Sequence, residues 1–361
     1  MEPPPFLCEE LQLEILSWLP VKSLVRFKCI SKSWKSTISD SQFIKLHLLR
    51  SSSKRNTDFT HLLSLVRSPP ESPSAATTVA IPDEYIFSGT CNGLICLLTF
   101  EYLYLQFRLW NSATRSMSQH SPPLYFPINC NCYLGFGYDS STDTYKVVVA
   151  VSHSVSWETT VHVYNMGYDT CWRTIQLSHF PSMCPGGDAV YVNNTLNWSA
   201  INLTYIGDST QLMNSDPGTI LSFDLGKETC AQLPLPYCNQ DINWYVPNLG
   251  VLRDCLCFCQ TDKETCFEIW QMKEFGVHES WTRLFHITGF ESIFRNIQLW
   301  HSFAMYMSEN GDALLLSKSR VPPFEAVLYT QKDNKLELMN IANDIVDCYA
   351  HNYIESLVSP C

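Results

Sequence analysis

Five times after residue 84 the chain runs through an alternating strand, meets an aromatic residue and turns on polar residues. The stretches are FRLWNSATR (107–115), VHVYNMGYDTCWRTI (161–175), ILSFDLGKETCAQL (220–233), FEIWQMKEF (267–275) and AVLYTQKDNKLEL (326–338). Trp110, Tyr164, Phe223, Trp270 and Tyr329 hold the corresponding positions, spaced 54, 59, 47 and 59 residues apart. An apolar segment precedes each: CNGLICLL (91–98), YKVVVAVS (145–152), AVYVNNTLNW (189–198), VLRDCLCFC (251–259) and GDALLLSK (311–318). Period-two patterning rich in β-branched and aromatic residues, punctuated by Gly, Asn and Asp, is that of successive strands.

A repeat of this length, with about four strands per unit, points to a kelch-like β-propeller. Five units are complete. Pairing of the C-terminal Tyr353–Val358 with the early apolar piece Leu62–Val66 is expected to supply a sixth and close the ring, giving five to six blades. A large β-sandwich is the alternative architecture.

The N-terminal fifty residues follow a different period. Leu11, Ile15, Leu16 and Leu19 recur at helical spacing behind Glu9, Glu10 and Glu14, which suit the positive end of a helix dipole. Pro20 ends that helix and opens the next, which carries Leu24, Phe27 and Cys29 or Ile30. Ser31 or Ser33 is placed to cap a third helix bearing Trp34 and Ile38. The segment from Ser41 to Leu49 sets Phe43, Leu46 and Leu49 on one side. So short a unit cannot bury all these side chains internally. The surplus faces either the rest of the chain or a partner protein, and composition leaves both open. Residues 51–83 are rich in Ser, Pro and Thr and read as a linker with one candidate strand, Leu62–Val66. The expected division is therefore 1–50, 51–83 and 84–361.

Charge excludes one class of partner. Residues 1–50 hold seven Lys/Arg against five acids, so the remainder carries 24 − 7 = 17 basic and 35 − 5 = 30 acidic residues. Such an acidic body repels phosphate backbones, and no nucleic-acid binding is expected. The start, MEPPPFLCEELQ, has no basic region before an apolar core, and no run approaches the roughly 18 apolar residues of a membrane span. A reducing location, cytoplasmic or nuclear, is expected. There the sixteen cysteines are free thiols, and the sequons at Asn193, Asn197 and Asn202 go unused.

Chemistry-bearing motifs are scarce. Cys255, Cys257 and Cys259 alternate along one strand face and lack the paired turn-borne ligands of a zinc site, as does Cys130-Asn-Cys132. There is no G-x-S-x-G elbow, P-loop, H-E-x-x-H or dinucleotide fingerprint. No catalytic residue, metal or cofactor is assigned.

The string LCEELQLEILSWLPVKSLVRFKCISKSWKSTISDSQFIKLHL (7–48) resembles the F-box of plant F-box proteins, most specifically over LPVKSLVRFKCISKSW (19–34). The segments CNGLICLL, LWNSATR (109–115), GFGYDSSTDTYKVVV (135–149), LNW (196–198) and YIESLVSP (353–360) resemble the plant F-box-associated, kelch-like domain. The resemblance spans almost the whole chain. It implies a small all-α F-box followed by an all-β domain, acting as the substrate receptor of an SCF-type ubiquitin ligase. The F-box would dock a Skp-family adaptor, and through it cullin and RING subunits; the β domain would bind a protein substrate. Carried onto matching positions, Leu7, Cys8, Leu11, Ile15, Leu16, Leu19, Pro20, Leu24, Phe27 and Trp34 form the F-box core and adaptor face. Two positions depart from the family pattern: Cys8 replaces a proline, which removes a rigid anchor, and Ser112 replaces another, read as a turn variation. The rival readings are an adaptor-binding protein that never joins the cullin, and a propeller lectin or enzyme.

Overall fold

The computed structural model describes residues 8–53, 62–66, 77–81, 84–101, 103–153, 159–176, 182–183, 189–201, 203–204, 213–214, 218–236, 248–262, 266–288, 303–307, 313–317, 325–333, 335–340 and 349–360.

Four helices come first: α1 (Glu9–Leu16), α2 (Val21–Phe27), α3 (Lys32–Ser39) and α4 (Ser41–Ser53). Glu9 and Glu10 occupy the first turn of α1, where the backbone N–H groups favour negative charge. Pro20 stands immediately before α2, where its missing N–H costs nothing. Ser31 caps α3, its Oγ accepting the Trp34 N–H at 3.1 Å. Asp40 does the same for α4, taking the N–H groups of Gln42 and Phe43 at 2.9 and 3.1 Å.

The described elements that follow are β-strands, apart from a short 3-10 turn at His278–Ser280. β1 (Leu62–Val66) and β2 (Thr77–Ala80) precede the first repeat. That sheet holds β3 (Ile86–Cys91), β4 (Leu94–Glu101), β5 (Tyr104–Asn111), β6 (Ser116–Met117) and β7 (Leu124–Tyr125). The second has β8 (Cys130–Asp139), β9 (Thr144–His153), β10 (Thr159–Asn165) and β11 (Arg173–Gln176). The third begins with β12 (Ser182–Met183), β13 (Val190–Val192) and β14 (Thr195–Ile201). A small pair, β15 (Leu203–Thr204) with β16 (Met213–Asn214), intervenes before β17 (Thr219–Asp224) and β18 (Thr229–Pro234) complete it. The fourth is β19 (Asn248–Leu252), β20 (Cys255–Asp262), β21 (Cys266–Met272) and β22 (Trp281–Thr288). The fifth is β23 (Phe303–Met307), β24 (Ala313–Ser317), β25 (Glu325–Thr330) and β26 (Lys335–Asn340), after which comes β27 (Tyr349–Asn352).

The recurring aromatics mark one structural position. Trp110, Tyr164, Phe223, Trp270 and Tyr329 lie on β5, β10, β17, β21 and β25, and pair in register with Ile95, Val147, Leu196, Phe258 and Ala313 on the preceding strand. The sixth sheet is composite: β1 pairs antiparallel with β27 and parallel with β2. Contacts between sheets run β3–β8, β8–β14, β14–β19, β19–β23, β23–β27 and back to β27–β3. That is a ring of blades, propeller-like, in which both ends of the β-domain share one sheet. The expected closing partner needs correction, since Leu62–Leu65 pair with Tyr349–Asn352 rather than with Tyr353–Val358. The latter residues are held elsewhere, as described below.

The second blade is packed on both faces, which explains the unbroken apolar run of β9. Val147, Val149 and Val151 face Leu94, Cys96 and Phe107 of the first sheet, whereas Val148 and Ala150 face Leu196 and Trp198 of the third. A strand covered on both sides has no polar face to alternate with. A buried ion pair ties the second and third sheets at one end. Lys146 Nζ lies 2.9 Å from Asp139, 3.0 Å from Glu228 and 2.6 Å from the Leu225 carbonyl that it also donates to. Glu228 in turn accepts two hydrogen bonds from Arg173, at 2.7 and 2.8 Å.

Candidate docking surface on the helical unit

The apolar residues of α1 face two ways. Leu16 is buried with Val21, Leu24, Ile38 and Phe43, and Leu19, Phe27 and Trp34 pack partly exposed against that core. The Phe27 and Trp34 rings meet edge-on, with centroids 5.2 Å apart. His47, also buried, donates Nε2–H to the Leu19 carbonyl at 2.9 Å and so fixes the α1–α2 turn. Leu11 and Ile15 point the other way, each 51% exposed, and Trp18 is 47% exposed. Together with exposed Cys8 they recur at intervals of three and four residues. That is one face of the helix, continued into the turn that follows it.

Arg50 of α4 braces the end of this stripe. Its guanidinium stands 4.9 Å from the Trp18 ring centroid, pairs with Glu14 at 2.6 Å, and also donates to Ser17 Oγ and the Glu14 carbonyl. Trp18 Nε1–H donates to Glu14 at 3.2 Å. The hydrogen bond from Arg50, followed by that from Trp18, holds the Glu14 carboxyl below its usual range. The indole is thereby held in a set orientation, with Arg50 over its ring and about half of the side chain open to solvent.

The ten residues singled out from sequence therefore divide. Leu16 and Leu24 are core; Leu19, Phe27 and Trp34 are partly exposed members of the same cluster; Cys8, Leu11, Ile15 and Pro20 are at the surface. Leu7 lies outside the described residues. Trp18 was not among them, although its spacing from Leu11 and Ile15 was the available signal. Ile30 and Leu49 are exposed as well.

The helical core has one member from far away in the chain. Leu357 is buried in it, and Ala113 from the β5–β6 turn packs against it. The tail that carries Leu357 is gripped by the first blade. Asn111, fully buried, donates through Nδ2 to the carbonyls of Ser356 and Val358 at 2.9 and 2.8 Å. The Tyr353 hydroxyl donates to the Gly93 carbonyl at 3.3 Å and bonds Ser112 Oγ at 2.9 Å. Ser112, read from sequence as a turn variation, thus has a specific partner that a proline would not supply. Asn92 and Gly93 form the β3–β4 turn with φ of +52° and +77°. A Cβ on Gly93 would lie 2.4 Å from Ser356 Oγ and 2.5 Å from the Ile354 carbonyl. On the second blade, exposed Asp143 pairs with Lys45 of α4 at 2.6 Å. The helical unit therefore sits at the end of the sheets that bears the β3–β4, β5–β6 and β8–β9 turns.

Among the described cysteines of the β-domain, Cys91, Cys96, Cys257 and Cys259 are buried, Cys130, Cys132, Cys230 and Cys255 are partly buried, and Cys171 is exposed. Burial holds the Cys96, Cys257 and Cys259 thiols well above their ordinary range and pushes Cys132 up to about 11 and Cys230 to about 12. Thiols so placed stay protonated at neutral pH and are poor nucleophiles. Among the described residues no group of three His, Cys, Asp or Glu is arranged to hold a metal ion. The Asn197 amide is buried in β14, bonded to Thr195 Oγ1 at 2.9 Å and the Val190 carbonyl at 3.1 Å.

Two family matches agree with this architecture. Residues 6–46 match the F-box domain, and residues 56–360 match the F-box associated beta propeller domain. An F-box/kelch-repeat protein of Arabidopsis thaliana is 31% identical, over 97% of this chain and 95% of its own. F-box protein CPR1 of the same plant is 25% identical, over 78% of this chain and 72% of its own. Among solved structures, the AofleA mutant from Arthrobotrys oligospora aligns with a TM-score of 0.45 and 8% identity, over 84% of this chain and 92% of that one.

Proposed function

Because the chain belongs to the F-box proteins that carry an F-box associated β-propeller domain, we propose that it is the substrate receptor of an SCF-type ubiquitin ligase. It makes and breaks no bonds itself. The F-box docks a Skp-family adaptor, which links it to cullin and RING subunits, and the propeller holds a protein substrate within reach of the ubiquitin-charged enzyme. The gain in rate is one of effective concentration. The proposed site of action is cytoplasmic or nuclear.

The observation that carries this reading is the exposed stripe Leu11–Ile15–Trp18, on α1 and the turn after it, beside a Leu16 that is already packed into the helical core. Three large apolar side chains left in water at regular helical spacing are the surface half of a helix-borne interface. Burying each fully stabilises by about 1.5–3 kcal/mol. Leu11→Ala with Ile15→Ala, half-exposed positions that leave no internal cavity, should therefore weaken adaptor binding roughly a hundredfold. Titration calorimetry with a purified Skp-family adaptor measures it, and circular dichroism should stay as in the parent. Unchanged adaptor affinity in this double variant would refute the assignment. Adaptor binding without co-purification of the cullin would favour an interaction protein that never enters the ligase.

A further inference from the structure

At the other end of the first blade the β4–β5 hairpin ends in a cluster of wet aromatic side chains. Phe100 is 58% exposed and Tyr125 68%, with Leu103 and Ile128 also open to solvent. The rings are ordered against one another: Phe100 lies 6.1 Å from Phe126, and Tyr104 lies 5.6 Å from Tyr125. β7 holds the group together by pairing Tyr104 with Tyr125, and the Phe126 N–H donates to the Leu103 carbonyl at 3.3 Å. The aromatics therefore lie on both faces of one hairpin tip.

The tip's location follows from strand direction. β4 starts beside Gly93, against the tail that enters the F-box core, and ends at Glu101. Eight residues at about 3.3 Å each set its two ends roughly 23 Å apart. The F-box thus occupies one end of the blade and the aromatic tip the opposite end, away from the adaptor. Among the described residues the charge at the tip is of one sign. Glu84 and Glu101 are exposed there. Arg108, the cation of this strand, is turned to the Tyr85 hydroxyl at 3.0 Å and the Ser118 carbonyl at 2.8 Å. Arg115 lies in the β5–β6 turn at the F-box end. Burial, then Arg108, holds His120 below its ordinary value, against the opposing pull of Glu84. The body as a whole carries 30 acids against 17 basic residues.

We propose that this tip is where the propeller engages its substrate. The occupant is a protein segment with apolar or aromatic anchors flanked by lysine and arginine. This rests on the receptor reading above and adds to it a surface and a substrate chemistry. Aromatic clusters are the usual energetic centres of protein interfaces, and acidic side chains at the rim select a basic partner and speed its arrival. A segment rich in lysine also brings acceptors for ubiquitin to the face pointing away from the F-box.

The test is selection of a displayed random-peptide library on the full-length protein, with adaptor affinity measured in parallel. Selected peptides should combine aromatic or leucine anchors with nearby Lys or Arg. Their affinity should fall about a hundredfold for Phe100→Ser with Tyr125→Ser, and about tenfold for Glu84→Lys with Glu101→Lys. Adaptor affinity should not change in either variant. Peptides of acidic composition, or peptides that bind both variants as well as the parent, overturn the proposal while the receptor reading stands. Failure of the parent to bind adaptor, with peptide capture at the tip intact, sinks the receptor reading and not the surface. A concentration-dependent dimer abolished by Phe100→Ser with Tyr125→Ser would mean that a second copy of the chain is the occupant, which also overturns it.

Discussion

Replacing Leu357 with alanine should destabilise the F-box although the mutation lies three hundred residues away in sequence. Leu357 is buried among Leu16, Val21, Leu24, Ile38 and Phe43. The backbone on either side of it stays in place, because Asn111 Nδ2 holds the carbonyls of Ser356 and Val358. The tail cannot collapse into the gap, so a cavity is left, and buried Leu→Ala changes of this kind cost about 2–5 kcal/mol. The helical unit described over residues 8–53 has only a few kcal/mol of its own to lose, at roughly 0.05–0.15 kcal/mol per residue. Native-state amide exchange on the full chain resolves the effect by region. Amides of α2 and α3 should exchange roughly 30-fold to several-thousand-fold faster, at about 1.4 kcal/mol per decade. Those of β8–β10 should keep their rates, and Leu357→Met, which conserves volume, should cost less than about 1.5 kcal/mol. Adaptor affinity should fall in step, since the adaptor binds only the folded helices. If α2 and α3 exchange at the parent rate in Leu357→Ala, the tail is not part of the F-box core and the coupling of the two domains described here is wrong.

Gly93→Ala tests the same junction from the blade side. Its Cβ would collide with Ser356 and Ile354 at a positive φ, so a loss exceeding about 1 kcal/mol and a lower melting temperature are expected. Lys146→Met removes the cation from buried Asp139 and should cost about 3–5 kcal/mol in urea unfolding; a neutral outcome would mean that the charge network is dispensable. The pH dependence has a definite sign. Burial alone would raise the pKa of Asp139 and Glu228, but hydrogen bonds outweigh it: from Ser141, Lys146 and Thr142 to Asp139, and from Arg173 and Lys146 to Glu228. Folded values below the unfolded ones mean stability that is complete above about pH 5 and lost as the pH falls through about 4 and below. Urea midpoints measured between those values should decrease steadily towards acid.

Much of this protein was legible from residues alone. The marker aromatics from Trp110 to Tyr329 fall on the same strand of five successive sheets, because a strand's local pattern reports its own burial. The helix ends at Glu9, Pro20 and Ser31 were legible for a similar reason, since capping chemistry acts within one turn. The unbroken VVVAV run of β9 likewise announces a strand covered on both faces. The four-residue turn at Asn92-Gly93 needs left-handed backbone, and the Asn-Gly pair says so directly.

Local pattern does not tell a core from an interface, because both are made of the same side chains. Leu11, Ile15, Leu16 and Leu19 form a single apolar series in sequence. Only packing shows that Leu16 and Leu19 turn inward while Leu11 and Ile15 stay wet beside Trp18. Nor does sequence distance predict contact. The segment Tyr353–Val358 is as apolar as a closing strand, yet β27 closes the ring four residues earlier, and the tail runs instead along Asn111 into the F-box. That choice rests on a buried amide meeting two carbonyls and on a leucine filling a hole between helices. Both are satisfied only once the first blade and the F-box have been brought together, so the decision belongs to the tertiary structure.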